Sequence, residues 1–150
     1  MQEKSYVMVK PEFANYKEAI TEIKSRIINA GLKIIKEGYV RYDTFAARKH
    51  YEEHLQKAFY PALEAYITSD KAYGMIIEGN NAISIIRSLV QRDKSKGLQP
   101  GDIRYDIADM LNMEIHPTKN VVHASDKPES AEREIAIFEE LLEMDNIINL

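Results

Sequence analysis

Residues 5–10 spell SYVMVK, and in an extended chain this run points apolar groups to both sides, Tyr6 and Met8 to one and Val7 and Val9 to the other. A strand with one wet face alternates apolar with polar residues, and this one does not, so it is read as a central strand. Pro11 removes a ladder donor and disfavours helix at the preceding residue. The strand is therefore expected to stop there, with Lys10 at its mouth.

The rest of the chain supplies partners for that strand. Ile20, Ile23 and Ile27 predict a helix over 16–30, closed by Gly31, and 32–42 is β-rich with Gly38 as a candidate bulge. Asp43 and Thr44 can cap a helix over 45–56, and a short helix is expected over 61–66. A third strand over 71–78 precedes a helix over 81–90 marked by Ala82, Ile83, Ile86 and Val90. From Gln91 to Lys119 the chain is polar and irregular, with only a short helix expected at 107–111. Asn120, Val121 and Val122 read as a fourth strand running into His123. Asp126-Lys127-Pro128-Glu129 is a capping box for a last helix with Ala131, Ile135, Phe138 and Leu142 on its buried stripe. Ile147 and Ile148 in the tail are expected to dock on a neighbouring subunit. The order β-α-β-α-α-β-α-loop-β-α resembles the split β-α-β, ferredoxin-like plan: an α+β sandwich with a four-stranded antiparallel sheet covered by helices.

Composition limits the chemistry. The 150 residues, 45% hydrophobic and 29% charged, suit one soluble domain over 1–150. With no cysteine, thiol nucleophiles, Cys-based zinc sites and disulfides are excluded, and a cytoplasmic setting is the default. No run approaches the roughly 18 apolar residues of a membrane span, so no membrane partner is expected. A net charge of −4 argues against nucleic acid as a partner. Among only six glycines neither GxxxxGK[ST] nor GxGxxG occurs, so any nucleotide site must use side chains.

Of four histidines, His116 reads as a loop residue. His50 and His54 lie four apart on one helix, a spacing that suits a metal pair, but no third ligand is in view and a polar helix face is the expected reading. His123 stands at the end of an apolar run, where a strand-end side chain can meet a cleft.

The stretch N-V-V-H-A-S-D at 120–126, followed by E-S-A-E-R-E-I at 129–135, closely resembles the N-x-x-H-G-S-D and E-S-A-x-x-E-I signature of nucleoside diphosphate kinases. M-V-K-P ending at Pro11, His50-Tyr51, Phe59, E-G-x-N ending at Asn81, Arg87 and P-G-x-I-R ending at Arg104 resemble further landmarks of that family, in order. The resemblance implies a ping-pong kinase in which His123 takes the γ-phosphoryl group of a nucleoside triphosphate and passes it to a diphosphate. It implies phosphate or ribose contacts from Lys10, Tyr51, Arg87, Arg104 and Asn120, base stacking on Phe59, and support of His123 by Ser125 and Glu134. Stacking tolerates every base, so broad nucleotide use follows. Lys10, Arg87, Arg104 and Mg²⁺ would supply the positive charge, and Mg²⁺ would sit on the substrate phosphates without a protein cage. The resemblance also implies a homo-oligomer, a hexamer or tetramer built from dimers. A weakly active or inactive nucleotide-binding relative that acts as an oligomeric regulator or scaffold is the alternative.

Three departures stand out. Ala124 occupies a glycine position and is expected to be strained if its φ is positive. Asp93 falls on a phosphate-contacting threonine, which predicts repulsion unless Arg92 or Mg²⁺ offsets it. The segment between Arg104 and Asn120 is longer than in typical members.

Overall fold

The computed structural model describes residues 2–148, with side chains to residue 145. The side chains of Ile147 and Ile148, expected to dock on a neighbour, lie outside the described residues. Four strands, β1 (Gln2–Val9), β2 (Lys33–Val40), β3 (Ala72–Asn80) and β4 (Val122–Ala124), form one antiparallel sheet in the order β2-β3-β1-β4. The helices are α1 (Lys17–Asn29), α2 (Thr44–His50), α3 (Tyr60–Ile67), α4 (Ala82–Val90), α5 (Ile103–Leu111) and α6 (Pro128–Ile148).

The two-sided character of β1 sets the layers. Val7 and Val9 join Met75 and Ile77 under α1, α4 and α5, through Ile23, Ile86 and Ile107 among others. Tyr6 and Met8 join Ile76 on the opposite face under α2, α3 and α6, through Ala47, Ile67 and Phe138. Side chains directly opposite across a strand pair share a face. Met8 pairs with His123, which places His123 on the α2 and α6 side of the sheet.

Close approach of α6 depends on two facing glycines. Gly38 and Gly74 pair across β2 and β3. A Cβ at Gly74 would stand 2.6 Å from both Phe138 Cδ1 and the Tyr6 hydroxyl, and one at Gly38 would stand 3.1 Å from Leu142. Gly38 is thus not the expected bulge: the register shifts between Ile34 and Lys36, and Gly38 makes room for the helix.

Other boundaries moved for local reasons. The helix expected over 45–56 stops at His50, with Ala46, Ala47 and His50 on its buried face, and a 3-10 turn follows over Glu52–His54. The expected helix 107–111 begins at Ile103, so Arg104 projects from α5 rather than from a loop. The fourth strand starts at Val122 because Val121 has φ 79° and the Val122 N–H reaches the Asn120 carbonyl at 2.9 Å, a tight γ-turn. The strain expected at Ala124 is absent, since Ala124 is not among the positive-φ residues. Near His123 the positive φ falls on Val121 instead.

Candidate active site

His123 arrives on β4, the edge strand, and its Nε2 lies 2.8 Å from Glu134 Oε1. Glu134 follows Ala131 by three residues on α6, so the turn of the helix that seats Ala131 in the core also carries Glu134 inward, to 3% exposure. The fully buried Ser125 donates to the same Glu134 oxygen at 2.7 Å, and its hydroxyl accepts the Tyr6 N–H at 3.0 Å. The serine is in turn fixed by the Ser125 N–H bond to the Tyr6 carbonyl. The chain His123, Glu134, Ser125 and β1 backbone therefore ties the imidazole to the central strand. An imidazole whose Nε2–H donates to a carboxylate has its lone pair on Nδ1. Among the described residues no hydrogen bond engages Nδ1.

The imidazole opens on a cleft of about 250 Å³ that is also lined by Tyr51, Arg87, Lys94 and Arg104. Arg87 and Lys94 have no ion pair among the described residues, and neither has Lys10. Arg104 spends its donors on the carbonyls of Asn120 and Val122 and on Gln91. Burial and the neighbouring Arg87 push its pKa down to about 10. Lys10 is buried, and its Nζ donates to Asn120 Oδ1 at 2.6 Å and to the Thr118 carbonyl at 3.0 Å. Burial, with Arg104 nearby, lowers its pKa to about 7. A cluster of cations in which Arg87, Lys94 and the buried Lys10 have no ion-pair partner among the described residues is electrostatically costly when alone and suits a polyanion.

Lys10 and Asn120 form a pair held beside Arg104 and behind the residues that line the cleft. Tyr51 reaches the cleft with its hydroxyl buried and unpartnered, its ring 5.9 Å from that of His123. Phe59 is 44% exposed at the rim, 5.8 Å from the His54 ring, so it is not a core residue. Asp93 turns away from the cleft: its Oδ1 accepts the Ser95 N–H at 3.0 Å and the Ser95 hydroxyl at 2.6 Å. Arg92, expected to offset it, pairs instead with the buried Asp102 at 3.0 Å.

Three residues escaped sequence reasoning. Lys94, next to Asp93, lines the cleft. Asp102, fully buried, accepts from the Arg92 and Gln99 backbone N–H groups and so folds the 91–102 segment; its place within P-G-x-I-R was the available signal. His50 is not on a polar helix face: it is 1% exposed, with its ring 4.6 Å from His123 and turned away from any pairing with His54. Burial, together with His123, Arg133 and Lys10, holds its pKa well below the ordinary histidine value.

A four-stranded α+β sandwich with a carboxylate-held histidine facing clustered cations defines a class of phosphate-handling proteins with a histidine at the centre. Residues 3–143 match the family model described as Nucleoside diphosphate kinase. The chain is 41% identical over 136 residues to the nucleoside diphosphate kinase of Listeria monocytogenes serotype 4b (strain F2365), spanning 91% of this chain and 88% of the relative. It is 43% identical over 139 residues to that of Methanococcoides burtonii, spanning 92% and 89%. Among solved structures it resembles the nucleoside diphosphate kinase of Halobacterium salinarum in complex with CDP, with a TM-score of 0.79, 33% identity and 92% and 88% coverage. The chain belongs to the nucleoside diphosphate kinase family. Its activity is phosphoryl transfer between nucleotides by the ping-pong route of that family, whose members use divalent cations. Among the described residues no helix is long and apolar enough to cross a membrane.

Proposed function

We propose that His123 is the residue that carries the phosphoryl group, and the observation that supports it is the Nε2 contact to Glu134, which leaves Nδ1 as the nucleophilic nitrogen. In the first half-reaction the Nδ1 lone pair attacks the γ-phosphorus of a nucleoside triphosphate. The bond from γ-phosphorus to the bridging oxygen breaks, and the diphosphate leaves with the electron pair. Glu134 holds the Nε2 proton throughout and offsets the positive charge that grows on the ring. In the second half-reaction a terminal β-phosphate oxygen of an acceptor diphosphate attacks the same phosphorus, the N–P bond breaks, and the neutral imidazole is restored.

The transition state is loose, so the protein contributes mainly position and charge. Arg87, Arg104 and Lys94 line the path of the phosphates, and Lys10 with Asn120 supports Arg104 from behind. Tyr51 offers its unpartnered hydroxyl, and Phe59 offers an exposed ring on which any base can stack. Asp93 has no direct part in this reading. The cleft-lining acids besides Glu134 are Glu53 and Asp126, which do not make a cage with each other, so Mg²⁺ fits on the substrate phosphates, where it would neutralise charge.

Broad use of nucleoside diphosphates, a cytoplasmic setting and a homo-oligomer built from dimers complete the reading. The last rests on the family resemblance; a groove between α4 and α6 that mixes Ile83, Ala131, Ile135 and Ala136 with Glu3, Lys4, Glu132 and Glu139 is a face such a contact could use. Initial rates with ADP, GDP, CDP and UDP as acceptors test base tolerance. Values of kcat/KM within about tenfold of one another support the open Phe59 platform, and preference for one base beyond a hundredfold contradicts it.

A further inference from the structure

His50 is the one histidine of the described chain whose two ring nitrogens are both buried and both without a hydrogen-bond partner. A neutral imidazole carries one donor and one acceptor, and burying both unpaired is costly unless something else meets them. The ring is not isolated. One nitrogen from His50, one from His123 and one carboxylate oxygen of Glu134 all lie within 4.8 Å of one another, on the cleft wall.

We propose that His50, His123 and Glu134 form a binding site for a single zinc-class ion, Zn²⁺ or Co²⁺, at the head of the cleft. Two imidazoles and one carboxylate are a donor set that zinc takes with a fourth position left open. A tetrahedral zinc holds its ligand atoms about 3.3 Å apart, so from a spread of up to 4.8 Å the separations need close by at most about 1.5 Å. His50 comes from α2, His123 from β4 and Glu134 from α6, and all three elements are anchored in the same core layer through Ala47, Met8 and Phe138. The fourth position faces the cleft, where water can enter.

The surroundings select the ion. Arg87, Arg104 and Arg133 also line the cleft and oppose any dication. Mg²⁺ favours six oxygen ligands and sheds water reluctantly, so it finds little here. An ion with high affinity for imidazole nitrogen gains enough from His50 and His123 to overcome that field.

The site uses His123, so metal and phosphoryl group exclude each other there. Either the metal takes Nδ1 itself, or it takes Nε2 and displaces the Glu134 contact that orients the ring. This consequence rests on His123 being the phosphoryl carrier; the metal site does not, and a nucleotide-free titration tests it separately.

The test is a Zn²⁺ titration of the nucleotide-free protein, followed by the imidazole nitrogen resonances of all four histidines. At one equivalent, His50 and His123 are expected to shift while His54 and His116 hold, and Co²⁺ should give the visible absorption of a four-coordinate site. His50→Leu should bind Zn²⁺ at least tenfold more weakly. No shift at one equivalent, a shift of His54 in place of His50, or unchanged affinity in His50→Leu each overturns the site. The wild-type spectra decide the matter even if the substitution impairs folding.

Discussion

Glu134 accepts at the same oxygen, Oε1, from His123 Nε2 at 2.8 Å and from the Ser125 hydroxyl at 2.7 Å, so one carboxylate on α6 orients the β4 imidazole and is itself oriented from β1. A positioning residue of this kind should act on kcat rather than on substrate binding. Glu134→Gln keeps the shape but removes the charge that accompanies phosphorylation of the ring. It should lower kcat about 100-fold with KM within about twofold. Ser125→Ala should cost about tenfold or less by steady-state kinetics. A rise in KM with normal kcat in either variant would place these residues in binding instead.

Lys10 gives the site a pH dependence. Burial and Arg104 hold its pKa at about 7 against 10.5 in the unfolded chain. Between those values the unfolded chain binds the extra proton, so stability of the free protein should rise as pH rises from about 7 toward 10 and change little from this source below 7. Phosphate prefers the protonated amine, so nucleotide affinity should fall over the same rise. Thermal unfolding and nucleoside diphosphate binding, both as functions of pH, check the two opposite slopes. Lys10→Met should flatten both.

Asp93 and Lys94 should behave unlike each other. Because the Asp93 carboxylate is engaged by Ser95, Asp93→Thr should leave nucleotide KM within about twofold of the starting value. Lys94→Ala removes a cation from the cleft wall and should raise KM several-fold, more at low salt than at high. Tighter nucleotide binding by Asp93→Thr would show that the carboxylate reaches the phosphates after all.

Gly74→Ala tests how closely α6 packs. The added methyl group would collide with Phe138 and the Tyr6 hydroxyl, a core overpacking of about 1–3 kcal/mol. Thermal denaturation should show a Tm lower by several degrees. Pairing it with Phe138→Leu should recover part of the loss, although Phe138→Leu alone destabilises.

The order of elements and the two-faced β1 were legible because periodicity reports burial, and burial on both faces of Tyr6–Val9 demands helices above and below. The family signature carried the nucleophile candidate and its partners. What periodicity could not show was where side chains turn once the backbone is set. His50 was read as part of a polar helix face because His54 lies four residues on and no third ligand was in view, yet the end of α2 carries it into the core against His123. Asp93 was expected to meet phosphate because a residue type at an aligned position carries no rotamer, and the short 3-10 turn after it captured the carboxylate. The strain assigned to Ala124 belongs to Val121, because the turn that aims His123 occurs one residue after Asn120.

Passage of the phosphoryl group through His123 can be read by incubating the protein with γ-labelled ATP and Mg²⁺, removing nucleotide and recovering the labelled chain. Close to one label per chain is expected, labile to acid and stable to base, lost on adding a nucleoside diphosphate and absent from His123→Ala. Label that survives in His123→Ala, or no labelled protein from a chain that still exchanges phosphate between nucleotides, would contradict it.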